Sequence, residues 1–167
     1  MKGGQCSFLV VGKAATGNSG DNLGGINFNG EAEDGGQGEN GAPAMLINGN
    51  CHIKCYTNLT IKGGDGGDGG KGGSVPKQPN VWGDGGNGGR GGNGGNAIDG
   101  ENLATVEIKS DSTAAPSIVG GIGGNGGNGG SCHYVWPFHA VDGTPGATGI
   151  SGDSGCTEFI YNFNDEQ

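Results

Sequence analysis

GGDGGDGGKGG, residues 63–73, sets how this chain folds, and the pattern returns as GGNGGRGGNGGN over residues 85–96 and GGIGGNGGNGG over 120–130. Each run is a string of Gly-Gly-X triplets. A period of three matches the three residues per turn of a polyproline II-type helix. In such a helix every X lies on one face and the paired glycines make two faces without side chains. Backbones can then approach closely, as they do at the glycine-lined axis of collagen. Several such segments side by side would be held by backbone N–H and C=O groups. The X residues Asp65, Asp68, Lys71, Asn87, Arg90, Asn93, Asn125 and Asn128 would face solvent, and Ile122, the apolar exception, is expected to face a core.

Composition sets a competing expectation. Leu, Ile, Val and Phe make up 28 of 167 residues and the net charge is −9, a balance typical of disordered chains and flexible linkers. Two features oppose it. The triplet phase is strict within each run, which a linker does not need. The runs also alternate with apolar, β-branched segments that can anchor them. The 44 glycines exclude a helical bundle, since glycine costs about 1 kcal/mol inside an α-helix, and no stretch of ten residues carries a 3.6-residue period.

Outward from the runs, the apolar segments read as short strands: residues 7–11, 26–28, 44–47, 52–56, 59–62, 103–109, 117–119 and 157–163. Asn29-Gly30, Asn48-Gly49 and residues 96–100 read as turns. Phe8, Ile26 and Met45 are almost evenly spaced, and their interval approaches the coil length of a β-solenoid. Residues 30–41 are a weaker, acidic version of the triplet runs, and Gly143, Gly146, Gly149, Gly152 and Gly155 continue them at strict threes. The expected fold is all-β or irregular, with short, solenoid-like strands alternating with a packed bundle of polyglycine II helices and essentially no α-helix. It forms one domain over residues 1–167, strand-rich to residue 62 and triplet-rich from 63.

The triplet runs resemble the polyglycine II sandwiches of the springtail antifreeze proteins and of the glycine-rich domain of T-even-like phage tail-fibre adhesins. The resemblance covers residues 63–73, 83–96, 120–130 and 143–155, under a third of the chain, and is one of period. It implies a block of packed glycine-rich helices. From the adhesins it implies inter-helix loops that bind a host receptor, and from the antifreeze proteins a face that binds ice. The charged and amide X residues count against ice.

Functional motifs are few. GGDGGD at residues 63–68 matches the opening of a calcium-binding nonapeptide but lacks its apolar residue, because Gly70 stands there. GDSG at residues 152–155 has no protease context, and Cys51, His52, Cys55, Cys132 and His133 lack a usual zinc spacing. No cofactor, metal or catalytic residue is expected. The acidic balance argues against nucleic acid, and Phe8–Val11 is too short an apolar run for a signal peptide or membrane span. An extracellular or surface-associated protein without a recognisable signal peptide is expected, and no membrane insertion.

Two surfaces remain. Tyr134, Trp136 and Phe138 alternate in SCHYVWPFHA, residues 131–140, with His133 and His139 beside them. With Trp82 they form a candidate contact surface for a cell-surface receptor, or a hydrophobic plug. The terminal strands, with Phe8 and Val10 at one end and Phe159, Tyr161 and Phe163 at the other, form a candidate junction between copies. The first expectation is therefore a self-assembling subunit of a surface fibre, the second an adhesin, the third ice binding. Cys6, Cys51, Cys55, Cys132 and Cys156 are candidate disulfide partners whose odd number leaves a free thiol or an intermolecular bridge; the alternative is five reduced, small buried hydrophobes.

Overall fold

The computed structural model describes residues 8–9, 28–47, 51–55, 59–100, 106–110, 116–135, 137–154 and 159–163. Among these there is no helix, only ten short strands: β1 (Phe8–Leu9), β2 (Phe28–Glu31), β3 (Met45–Ile47), β4 (Cys51–Cys55), β5 (Thr60–Lys62), β6 (Val81–Asp84), β7 (Ile98–Gly100), β8 (Val106–Ser110), β9 (Ser117–Val119) and β10 (Phe159–Phe163). Between them run five extended triplet segments: I (32–43), II (63–74), III (85–96), IV (120–131) and V (142–153).

Every strand pair is parallel, and each strand meets its counterpart one coil later. The sheets run β1-β5-β9, β10-β8-β4, β2-β6 and β3-β7. Phe28 pairs with Val81, and Thr60 with Ser117. The coil is therefore far longer than the interval between Phe8, Ile26 and Met45 suggests, because each coil contains two triplet segments as well as its strands. Asn29 and Gly30 lie inside β2 rather than in a turn, and residues 98–100 form β7. In both places a partner strand supplies ladder hydrogen bonds that local turn chemistry cannot anticipate.

The triplet segments form two layers. Gly35, Gly38 and Gly41 of segment I donate to the carbonyls of Asn87, Arg90 and Asn93 of III; Gly85 of III donates to Val141, just before V, and Gly88, Gly91 and Gly94 to Thr144, Ala147 and Ile150 of V. Segments I, III and V thus lie parallel in one layer. Segments II and IV make the other, joined by Gly63, Gly66, Gly69 and Gly72 donating to Val119, Ile122, Asn125 and Asn128. Between layers the chain direction reverses: Gly64, Gly67, Gly70 and Gly73 donate to Ala42, Glu39, Gly36 and Glu33, and Gly86, Gly89, Gly92 and Gly95 back to Gly73, Gly70, Gly67 and Gly64.

One rule covers the lattice. In segments I to III the first amide of each triplet donates two segments ahead, and in II to V the second donates to the preceding segment. The glycine pair follows from space. A Cβ built at Gly88, a first position of III, would run into the Gly127 carbonyl of IV. One at Gly89, the second position, would run into the Gly36 carbonyl of I. A hydrogen aimed at a carbonyl oxygen instead adds a weak Cα–H···O contact.

The apolar core is small and split between the two ends of this coreless middle. Ala32, Val75 and Val81 cluster at one end, where II turns into III. Ile47, Leu59, Ile61, Ala97 and Ile98 are buried at the other, the strand end. Ile122 does not face a core. It is 63% exposed on the outer face of IV, because the third position of every triplet points away from both layers.

The third-position side chains do more than meet solvent. Asp34 and Asn40 accept from the amides of Asn87 and Asn93. Asn87 and Asn93 accept in turn from Thr144 and Ile150. Asp65 and Asp68 accept from Ile122 and Asn125, Asp84 from Val141, and Asn96 from Asp153. A γ-carbon bearing an oxygen acceptor reaches the third amide two segments on, and so satisfies the one N–H per triplet that the glycine pairs leave over.

Candidate contact surface at the loop end

Residues 74–84 carry the chain from II to III and residues 131–141 from IV to V, so both connections stand at one end of the block. The first is fastened by Val75 and Val81 against Ala32. It turns at Pro79-Asn80, where Asn80 takes φ 66°, a left-handed conformation asparagine tolerates. Gly83 then lies so close to β2 that a Cβ would overlap the Gly30 carbonyl.

The second connection is tied to the first. Gly83 donates to the His133 carbonyl at 3.1 Å, and His133 donates back to Gly83 at 3.2 Å. The His133 ring places Nδ1 2.7 Å from the Val81 carbonyl. A carbonyl only accepts, so Nδ1 is the donor in this contact. Phe138 donates to Val135 at 2.8 Å, closing a four-residue turn. That turn lays the Phe138 ring on Trp82, centroids 4.5 Å apart and planes within 10°. Tyr134 and His139 meet at 5.9 Å with a 42° tilt.

The aromatic residues brought together are thus Trp82, His133, Tyr134, Phe138 and His139. Trp136 lies outside the described residues. Tyr134 and Phe138 keep 47% and 45% of their surface exposed, so the group both packs on itself and faces outward.

Two carboxylates brace the loop. Asp84 Oδ1 accepts from the Val141 amide at 2.7 Å, and Asp142 Oδ1 from the Cys132 amide at 2.7 Å. That amide bond holds the Asp142 carboxyl below the usual range, aided by its hydrogen bond with the Cys132 thiol. Burial pushes the Cys132 thiol up, and the neighbouring Asp142 adds to it. Cys132 is a free thiol and forms no bridge. Cys51 and Cys55 fall in β4, where only the backbone is described, and Cys6 and Cys156 lie outside the described residues. Sequence reasoning misses the bracing carboxylates. The usable signal is spacing: Asp84 precedes Val141 by the same 57 residues that separate Asn87 from Thr144.

The candidate junction residues lie at the opposite end. Phe8 is in β1, at the margin of β1-β5-β9, and Phe159, Tyr161 and Phe163 are in β10, at the margin of β10-β8-β4. Val10 lies outside the described residues. Among the described residues no three His, Cys, Asp or Glu side chains converge as metal ligands. No helix among them is long and apolar enough to cross a membrane.

No protein-family model matches the chain, and neither does any curated protein. Among solved structures it is similar to the springtail antifreeze protein from Granisotoma rainieri, described as a nine polyproline type II helical bundle. The match has 20% identity, covers 89% of this chain and 97% of that one, and has a TM-score of 0.14. At that score the likeness carries no argument.

Proposed function

We propose that this chain is a rigid, non-enzymatic contact module that presents its aromatic loop end to a cell-surface receptor, as part of an extracellular or surface-borne assembly. The observation that carries the reading is the joining of two loops, far apart in sequence, into one half-exposed aromatic group. The Gly83–His133 bridge and the Trp82–Phe138 stack make that joint. Aromatic rings held in place lose little entropy on binding and supply most of the energy at contact surfaces. The first and last described strands, β1 and β10, both stand at the strand end. That geometry suits attachment at one end and contact at the other. Growth into a fibre through the terminal strands has in its favour the margin of β10, which no described strand pairs, and the side chains along the lattice edges against it.

The test is saturable binding of fluorescently labelled protein to a panel of intact cells. Tyr134→Ala and Phe138→Ala, with circular dichroism unchanged, should each weaken binding about tenfold or more, the effect of a central aromatic anchor. Binding that is non-saturable, or equal in both variants and the parent, overturns the reading.

A further inference from the structure

Glycine content follows the number of neighbours. In segments II, III and IV, each flanked by three or four other described segments, the first and second positions are glycine throughout. Segments I and V depart from this, each along one register. Apart from Ala32, whose methyl packs against Val75 and Val81 at the loop end, segment I keeps glycine at its first positions, Gly35, Gly38 and Gly41, and carries Glu33, Glu39 and Ala42 at second positions. Segment V keeps glycine at its second positions, Gly143, Gly146, Gly149 and Gly152, and carries Pro145, Thr148 and Ser151 at first positions.

The directions of these positions explain the difference. A Cβ at a second position of III, such as Gly86 or Gly92, would enter the carbonyls of Glu33 or Glu39 in I, two segments back. A Cβ at a first position of IV, such as Gly126, would enter the Gly146 carbonyl of V, the next segment. Second positions of I therefore point where a segment two back would lie, and first positions of V where a next segment would lie. No described segment occupies either place. The polar groups that such segments would use are nonetheless open: the amides of Gly123, Gly126 and Gly129 in IV find no acceptor among the described residues.

We infer that Glu33, Glu39 and Ala42 on one edge, and Pro145, Thr148 and Ser151 on the other, close the lattice sterically, so that no second copy of this chain continues it. A copy whose segment I took the sixth place would put the Cβ atoms of its own Glu33, Glu39 and Ala42 into the carbonyls of segment IV, two back, and would itself be met by the first-position side chains of V. Pro145 also removes the N–H its position would donate. Edge strands elsewhere are protected by charge, proline and side-chain bulk in the same way. This inference rests on the lattice alone and is independent of the receptor reading.

The test is amide hydrogen exchange of the full chain by NMR at low and high protein concentration. Gly123, Gly126 and Gly129 should exchange roughly tenfold or more faster than their bonded neighbours Gly124, Gly127 and Gly130, with rates unchanged by concentration. Protection of the first set that grows with concentration overturns the inference. A second variant separates bulk from charge. Glu33→Ala/Glu39→Ala removes two charges and keeps each Cβ, and it should sediment as the wild type does. Assembly of that variant would mean that charge alone holds copies apart, and the steric account falls.

Discussion

At the scale of the residue, the unit of this fold is an Asp or Asn that bridges to an amide two segments away. Two cations interrupt the ladder. Arg90 and Lys71 have no acceptor, so the amides of Ala147 and Asn128 go uncapped among the described residues. Arg90→Asn should add the missing rung and stabilise the protein by about 0.5–1 kcal/mol, the net worth of one hydrogen bond. Asn87→Leu removes the acceptor shared by the Thr144 amide and hydroxyl and should cost about 1 kcal/mol. Urea denaturation checks both. At the loop end, the raised Cys132 pKa predicts slow alkylation in mildly alkaline buffer, since the thiolate is the nucleophile. Asp142→Asn keeps an acceptor and drops the charge, so mass-mapped iodoacetamide labelling of Cys132 should speed up. Asp142 itself has a lowered pKa. Its stabilising contribution is present above the ordinary carboxylate range and is lost as pH falls through its folded value.

At the scale of the element, a triplet segment is defined by what stands beside it. Gly126→Ala places a methyl against the Gly146 carbonyl. It should cost about 1–3 kcal/mol, the usual range for overpacking. Gly36→Ala, at a second position of segment I beside Glu33 and Glu39, should be neutral or stabilising by up to about 1 kcal/mol through reduced unfolded-state entropy. Thermal melts of the two variants separate the positional rule from a general need for glycine. Much of this scale was legible in the sequence. The period of three located segments II, III and IV, and the strict glycine spacing located V. Strand β9 falls where Ser117–Val119 predicted it. The pairing of segments was not legible, because one Gly-Gly-X run fits another equally well in many registers. The 53- and 57-residue separations of the Asp and Asn bridges hold that information, and it has meaning only once the layers are known. The contact of Trp82 with Phe138 was hidden for the same reason, since it depends on segments II and IV ending at one level.

At the scale of the whole molecule, the block is held by backbone hydrogen bonds with a small apolar cluster at each end. Each such bond is worth about 1 kcal/mol net, and glycine loses more entropy on ordering than any other residue. Stability must therefore come from completing the whole lattice at once, and its edges set the size of the particle. On the proposed reading the protein is a finite block that displays one end; on the fibre reading it is a repeating unit. Sedimentation velocity of the purified chain, over a wide concentration range and with and without reductant, distinguishes the two. A finite block sediments as one species with the mass of a single chain under every condition. Concentration-dependent filaments, or an open series of larger species, would show that the edges do not close the lattice.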